Sequence, residues 1–239
     1  MKYIDIHSHI LPHMDDGARS TRMSLAMLRQ AENEGITDII VTPHYRRGYF
    51  KGNRSEMEEE LEELQVFMEA EGIRVNLYPG NEIYYHSELE GKLESGVLST
   101  MNNTEYVLIE FSPMEEFMYI RRAVDDLFSM GYIPIIAHVE RIRCLEQDIE
   151  RVRMLKNGGC NLQVNVASAM GEMGFKCKRF VHKLLKEELV DYIATDAHDA
   201  DKRRPSIHKC AEMLYRKYNR DYVNEILFQN AATRLLASK

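Results

Sequence analysis

The segment DIHSHILPHMDDG, residues 5–17, gathers three histidines and three aspartates near the start of a 239-residue chain. Imidazole nitrogens and carboxylate oxygens without a thiolate form a donor set that suits Mn²⁺, Fe²⁺ or Zn²⁺ in catalysis better than a structural zinc knot. In a strand, residues i and i+2 point to the same side, so His7 and His9 can ligate together. Further along, His44, Glu82, Glu110, His138, Asp196 and His198 stand at or just beyond the ends of short apolar runs, and Asp16 lies in the loop after the first. Nine such residues exceed what one ion can use. Two or three divalent ions sharing carboxylates are expected, a centre suited to hydrolysis.

Arg141 follows His138, and Arg203 follows His198, each within a short loop. Guanidinium forks grip phosphate oxygens in pairs, so metals beside arginines point to phosphate esters. Arg204, Arg46 and Arg47 are weaker candidates of the same kind. Asp5 is expected to make a structural hydrogen bond, and Asp15 to serve a turn. His86, His182 and His208 read as ordinary surface or core histidines. His13, lying between ligand candidates, is open to either reading.

The elements that must hold these side chains are seven β-rich runs at 3–7, 38–44, 73–83, 106–111, 132–138, 161–166 and 190–195, alternating with helical patterns. That alternation predicts parallel strands joined by right-handed crossovers. Consecutive apolar positions, as in IIV, VLI and IPII, suit strands covered on both faces. Active sites of such folds are built at the C-terminal strand ends, where every candidate ligand falls. The charged segment 56–71 reads as a helix with Leu61, Leu64, Phe67 and Met68 as its buried stripe. No Ser/Gly/Pro-rich linker divides the chain, so one domain over residues 1–239 is expected.

A net charge of −7 argues against a nucleic-acid-binding surface. No apolar run approaches the roughly 18 residues that would span a bilayer, so no direct membrane insertion is expected. The opening MKYIDIHSHI lacks the apolar core of a signal peptide. Four cysteines without a C-x-x-C pair suggest free thiols and a cytoplasmic setting. Cys210 and Arg216 match the C-x5-R spacing of cysteine-dependent phosphatases. That chemistry needs a loop of converging amides. Here helix formers intervene, with Ile207, Cys210, Met213 and Leu214 on one face, and a helix is expected.

Taken in order, DIHSH, TPH, GNEI, VLIEF, IAHVER and TDAH resemble the polymerase-and-histidinol-phosphatase superfamily. With MSLAMLRQAENEGITDIIVTPHY, the first segment is similar to the bacterial capsule-type, manganese-dependent tyrosine phosphatases of that superfamily. The likeness runs from Tyr3 to about Pro205 and departs from the family pattern at His13 and Val139, where glycine and proline are usual. It implies an α/β fold, a distorted TIM-like (β/α)7 barrel, with a cluster of two or three ions, Mn²⁺ above Fe²⁺ or Zn²⁺. The implied ligands are His7, His9, Asp16, His44, Glu82, Glu110, His138, Asp196 and His198. Arg141 and Arg203 are the implied phosphate-binding residues, and Asp196 and His198 are expected to act beside them in catalysis. The implied substrate is a phosphotyrosine protein, the tyrosine-rich tail of a bacterial kinase controlling polysaccharide export. The nucleophile expected is hydroxide held between two ions, while the general acid, with His198 and Asp199 as candidates, and the oligomeric state are left open. Rival readings are a histidinol phosphatase or other small-molecule phosphoesterase, and a non-catalytic metal-binding module.

Overall fold

The apolar runs do become parallel strands, and two of them break where the site is built. The computed structural model describes residues 2–237. Its strands are β1 (Tyr3–Ser8), β2 (Ile36–Val41), β3 (His44–Arg46), β4 (Phe50–Lys51), β5 (Asn76–Pro79), β6 (Glu82–Tyr84), β7 (Tyr106–Glu110), β8 (Ile133–Ile136), β9 (Asn161–Asn165) and β10 (Tyr192–Ala194). They form one sheet of order β1-β2-β5 and another of order β10-β9-β8-β7-β6-β3-β4. All pairings are parallel except the β3–β4 hairpin.

The second and third runs each cross from one sheet to the other, as β2 then β3 and as β5 then β6. The third was expected as one strand, but Pro79 and Gly80 interrupt it. A Cβ on Gly80 would lie 2.8 Å from Ile40 Cγ2, so only glycine allows the two strands this close. Asn81 fixes the break: its Nδ2 donates to Pro43 O at 3.0 Å and its Oδ1 accepts from Ser99 N at 2.8 Å. As a result Glu82 begins β6 instead of ending a longer strand, and it sits in register with His44 and Leu108.

At the other side β1 runs alongside β10. Asp196 N donates to His7 O at 2.9 Å and His9 N to Ala197 O at 2.8 Å. Asp5 staples this seam, accepting from Thr195 N at 3.0 Å and Thr195 Oγ1 at 2.5 Å. The fold is thus a distorted (β/α)7 barrel whose strands are wrapped by helices. An inner apolar cluster including Ile4, Ile6, Ile40, Leu108, Ile135 and Tyr192 fills the space below the site.

The outer helices follow their sequence signals. Ser20 and Asn53 cap the N-termini of the helices Thr21–Glu34 and Arg54–Glu71, and Gly35 and Gly72 end them in left-handed conformation. The stripe of the second helix is Met57, Leu61, Leu64 and Met68, with Phe67 turned outward to 41% exposure. Between β8 and β9 the chain forms two consecutive helices, Arg143–Gln147 and Ile149–Asn157, divided where Asp148 caps the second. Cys210 lies in the helix His208–Lys217, as its sequence context requires.

Candidate metal centre

A local irregularity in β1 sets up the first two ligands. Pairing with β2 slips by one residue between Asp5 and Ser8. Ile6 belongs to the inner apolar cluster, yet its neighbour His7 also reaches inward. Strict alternation would send adjacent residues to opposite faces, and the slip removes that restriction. His9, two residues on, then joins His7, their Nε2 atoms 3.2 Å apart.

Glu82 is the centre of the constellation. Its Oε2 lies 3.1 Å from His7 Nε2, 3.2 Å from His9 Nε2 and 3.0 Å from His44 Nδ1. Its Oε1 lies 2.8 Å from His138 Nε2. Glu110, ending β7, stands 3.8 Å from both His44 and His138. Asp196 Oδ1 is 3.6 Å from His7 and from His9. Asp16 Oδ1 is 3.6 Å from His44 Nε2 and from His198 Nε2, closing the outer side. All nine residues expected as ligands therefore converge.

Their donor atoms fall into overlapping sets, one of His9, Asp16, His44 and His198, another of His7, His9 and Glu82, and a third of His44, Glu82 and Glu110. The fit to divalent cations is visible in Glu82 itself. Its Oε2 is buried and accepts no hydrogen bond although three imidazole nitrogens surround it. Lone pairs facing a carboxylate oxygen, with two Nε2 atoms facing each other, make an environment for cations rather than for protons.

Three of the imidazoles are held from behind. His7 Nδ1 donates to Gln163 Oε1 at 3.1 Å, and that oxygen also accepts His138 N–H at 2.8 Å, which fixes which end of the amide is oxygen. His9 Nδ1 donates to Asp15 Oδ2 at 2.6 Å, and His198 Nδ1 to the carbonyl of Asp196 at 3.0 Å. Each bond leaves Nε2 as the free lone pair aimed at the centre. Asp15 does more than serve a turn: it also accepts from His44 N at 2.8 Å and Gly17 N at 2.9 Å. Phe50 stacks on the His44 ring, with centroids 5.6 Å apart.

Gln163 and Asn165 carry no charge and are not of the imidazole or carboxylate type that marks a metal centre in sequence. Both are fully buried, and Gln163 Nε2 donates to Asn165 Oδ1 at 2.7 Å. Asn165 Nδ2 in turn donates to Asp196 Oδ2 at 2.7 Å, so a chain of amides connects His7 to Asp196. The available signal was a run of amides at alternate positions of β9, Asn161, Gln163 and Asn165, which share one face of the strand while Leu162 and Val164 take the other. Glu140 of the IAHVER segment, also buried, accepts from Asn165 N at 3.1 Å.

Burial pushes Glu82 toward protonation, but His7, His44 and His138 outweigh it and hold the carboxyl well below its usual range. Asp196 is likewise lowered, His7 and His9 overcoming burial. His9 moves up because Asp15 and Glu82 outweigh burial, whereas burial and the neighbouring His9 lower His198. Glu110 is raised by burial and by the adjacent Glu82.

Arg141 and Arg203 both reach the outer oxygen of Asp196, each with Nη2 at 3.0 Å from Oδ2. Asp199 holds the loop that carries Arg203. Its Oδ1 accepts from the backbone N–H of Asp201, Lys202 and Arg203 at 2.7, 2.6 and 3.0 Å. Those bonds outweigh its burial and lower its pKa, which suits a brace and not a proton donor. His138 and Asp196 adopt left-handed backbone at φ 30° and 53°. Such conformations cluster at functional sites.

The remaining candidates lie elsewhere. Arg46 sits over the rings of Tyr49 and Tyr84, and Arg47 pairs with Glu88. His13 is exposed in a left-handed turn at φ 64°, with its N–H on Ala18 O. His86 accepts from Glu88 N, His182 bonds Tyr218, and His208 pairs with Glu212. None of the three contributes to the centre.

Residues 3–236 match the family model described as capsular polysaccharide synthesis, CpsB/CapC. The tyrosine-protein phosphatase CpsB of Streptococcus agalactiae is 32% identical over 97% of this chain and 98% of its own length. A solved structure described as YwqE from Bacillus subtilis and CpsB from Streptococcus pneumoniae, unique metal-dependent tyrosine phosphatases, superposes with a TM-score of 0.92 at 33% identity, covering 99% of this chain and 95% of the other. Histidinol phosphate phosphatase of Lactococcus lactis, at 18% identity and a TM-score of 0.61 over 91% of this chain and 95% of its own, shares the fold.

Proposed function

The chain belongs to the CpsB/CapC family of capsular polysaccharide synthesis, and from that premise we propose how it acts as a metal-dependent protein-tyrosine phosphatase. The observation that carries the reading is Glu82 Oε2, buried without a hydrogen bond among imidazoles, beside two arginines that share one carboxylate oxygen.

His7, His9, Asp16, His44, Glu82, Glu110, His138, Asp196 and His198 would hold two or three divalent ions, with Mn²⁺ the expected metal. When bound, such ions supply Lewis acidity toward phosphoryl oxygens and lower the pKa of water at the site to about 7. The protein supplies placement. Gln163, Asp15 and the Asp196 carbonyl hold His7, His9 and His198 with Nε2 toward the centre. Arg141 and Arg203 would turn from Asp196 to the phosphoryl oxygens, where charge develops during transfer. The tyrosyl leaving oxygen has a pKa near 10, so it departs with little help from an acid. That fits a site where Asp199 braces a loop and His198 is kept neutral by its surroundings.

The substrate proposed is a phosphotyrosine segment of the bacterial tyrosine kinase that governs capsular or exopolysaccharide synthesis. A cytoplasmic setting belongs to the same proposal. It is supported by four unpaired cysteines and by the lack, among the described residues, of a helix long and apolar enough to cross a membrane.

The test is turnover of p-nitrophenyl phosphate and of phosphotyrosine, phosphoserine and histidinol phosphate substrates across Mn²⁺, Zn²⁺ and Mg²⁺, with metal content measured. Phosphotyrosine should be preferred, chelation should abolish turnover, and His7→Ala should lose more than about 100-fold, beyond the usual effect of an outer partner. Equal or better turnover of histidinol phosphate, or full activity of His7→Ala, would overturn the reading.

A further inference from the structure

A cavity of about 620 Å³ opens on the outer side of Asp196, away from the imidazoles. Arg141, Asn165 and Asp196 stand at its inner end, where Arg203 also joins them. Its outer wall is formed by Lys202, Arg204 and Lys209, and Met170 and Met173 supply an apolar side. Five cationic side chains therefore face two carboxylates, Asp196 and Glu172, in a protein whose net charge is −7. The excess of positive charge is local and runs against the average of the molecule.

The cations fall into two groups. Arg141 and Arg203 are matched by Asp196. Among the described residues, Lys202, Arg204 and Lys209 pair with no carboxylate, although Glu172 lines the same cavity. These three are exposed and carried on a backbone that is held in place. Asp199 binds the N–H groups of residues 201–203, His198 N donates to Arg203 O at 2.8 Å, and Ser206 N donates to Arg204 O at 2.8 Å. Glu34 Oε2 accepts from Ile207 and His208 N–H at 2.9 and 2.8 Å, tying the following helix to the same frame.

We propose that this cavity is a second anion subsite, which receives an acidic group of the peptide substrate next to the phosphotyrosine. The inference rests on the phosphotyrosine phosphatase reading and adds a substrate preference to it. The shared chemistry is an anion, either the carboxylate of a flanking Asp or Glu or a second phosphate on the same peptide. Unpaired lysines, Lys202 on the fixed loop and Lys209 at the start of the helix that follows, attract such a group without demanding one geometry. Contiguity with Arg141 and Arg203 lets one extended peptide fill both places, and the methionines accommodate its varied apolar stems.

The experiment compares p-nitrophenyl phosphate with three phosphotyrosine peptides, having neutral flanks, glutamate flanks or a second phosphotyrosine. The enzymes are the wild type, Lys209→Glu and the double variant Lys202→Glu/Lys209→Glu, all with Mn²⁺. Wild type should favour one or both acidic peptides by about tenfold in kcat/KM, the gain lying in KM and shrinking as salt rises. The arm that gains identifies the anion as carboxylate or phosphate. The double variant should lose that preference and keep its rate on p-nitrophenyl phosphate and the neutral peptide within about twofold. Equal KM for all three peptides, or a preference that survives the double charge reversal, overturns the subsite while leaving the phosphatase reading intact. Failure to hydrolyse any of the three phosphotyrosine peptides would instead strike at the phosphatase reading.

Discussion

Strand β10 carries a buried aspartate just outside each end, and the two are used in opposite ways. Below it, Asp191 is wholly satisfied by the protein: Oδ2 accepts from Leu162 N at 2.9 Å and from Lys156, and Oδ1 from Arg234 Nη1 at 3.2 Å. Above it, Asp196 also meets two cations, but only through Oδ2. Its Oδ1 faces His7, His9 and His198 at 3.5–3.6 Å. The lower carboxylate ties β9 and β10 to the helix Ile149–Asn157 through Lys156 and to the helix Asn230–Arg234 through Arg234. The upper one keeps half of its coordinating capacity turned toward the site. In a barrel the lower face serves stability and the upper face serves chemistry, and here one strand shows both.

Substituting the two aspartates should separate those properties. Asp196→Asn should lower phosphatase activity more than about 100-fold, the upper range for an outer partner of a metal. Without metal its melting temperature should move by no more than about 3 °C, the equivalent of ~1 kcal/mol in a chain this long. Asp191→Ala should do the reverse. It strips a buried N–H and two cations of their acceptor, a loss of about 3 kcal/mol and 6–12 °C in melting temperature. The folded fraction should keep its kcat. Thermal unfolding beside kinetics decides the matter, and a variant that loses both properties at the upper end would collapse the distinction.

A smaller effect is expected one layer behind the upper aspartate. Gln163→Leu preserves bulk but removes the acceptor of His7 Nδ1 and His138 N–H. The His7 ring would then choose its tautomer freely, and metal affinity should fall 10–100-fold, as is usual for outer partners. Saturating Mn²⁺ should restore much of the activity, which it cannot do for Asp196→Asn. Titration with Mn²⁺ followed by heat release or melting temperature gives a readout apart from turnover.

The contrast between these positions also marks what the sequence revealed. His7, His9, Glu110 and His138 were legible because an ionisable side chain at the end of an apolar run is costly to bury unless a partner such as a metal compensates it. Gln163 and Asn165 were not, since their role depends on which face of β9 turns inward and on His7 lying opposite, a contact across 156 positions. In the pair Asp15-Asp16, spacing could not say which carboxylate turns toward His9 Nδ1 and which stands near His44 and His198; the fold of the loop decides. The slip in β1 and the left-handed backbone of His138 and Asp196 left no mark, because no glycine or proline accompanies them. The break of the third strand is announced by Pro79-Gly80, yet the apolar residues on either side are strong enough to suggest one continuous strand.

The smallest effect concerns Cys210, the other phosphatase-like feature of the chain. It lines the cavity beside Asp196, so proximity alone would credit it with a part in the upper chemistry. Its surroundings oppose this. The side chain is buried on the inner face of the helix His208–Lys217, and burial pushes its thiol up to about 12. A thiol needs the opposite shift to act as a nucleophile. Arg216, the partner required by C-x5-R, lies on the same helix with Nε bonded to Glu212 O. Cys210→Ala should therefore keep kcat/KM within about twofold, while costing on the order of 1 kcal/mol of stability from lost packing. Activity measured before and after thiol alkylation of native protein adds an independent check, since Cys210 should stay unmodified. A large loss of turnover with Mn²⁺ content unchanged would mean that the upper end of β10 uses more than carboxylates, imidazoles and arginines.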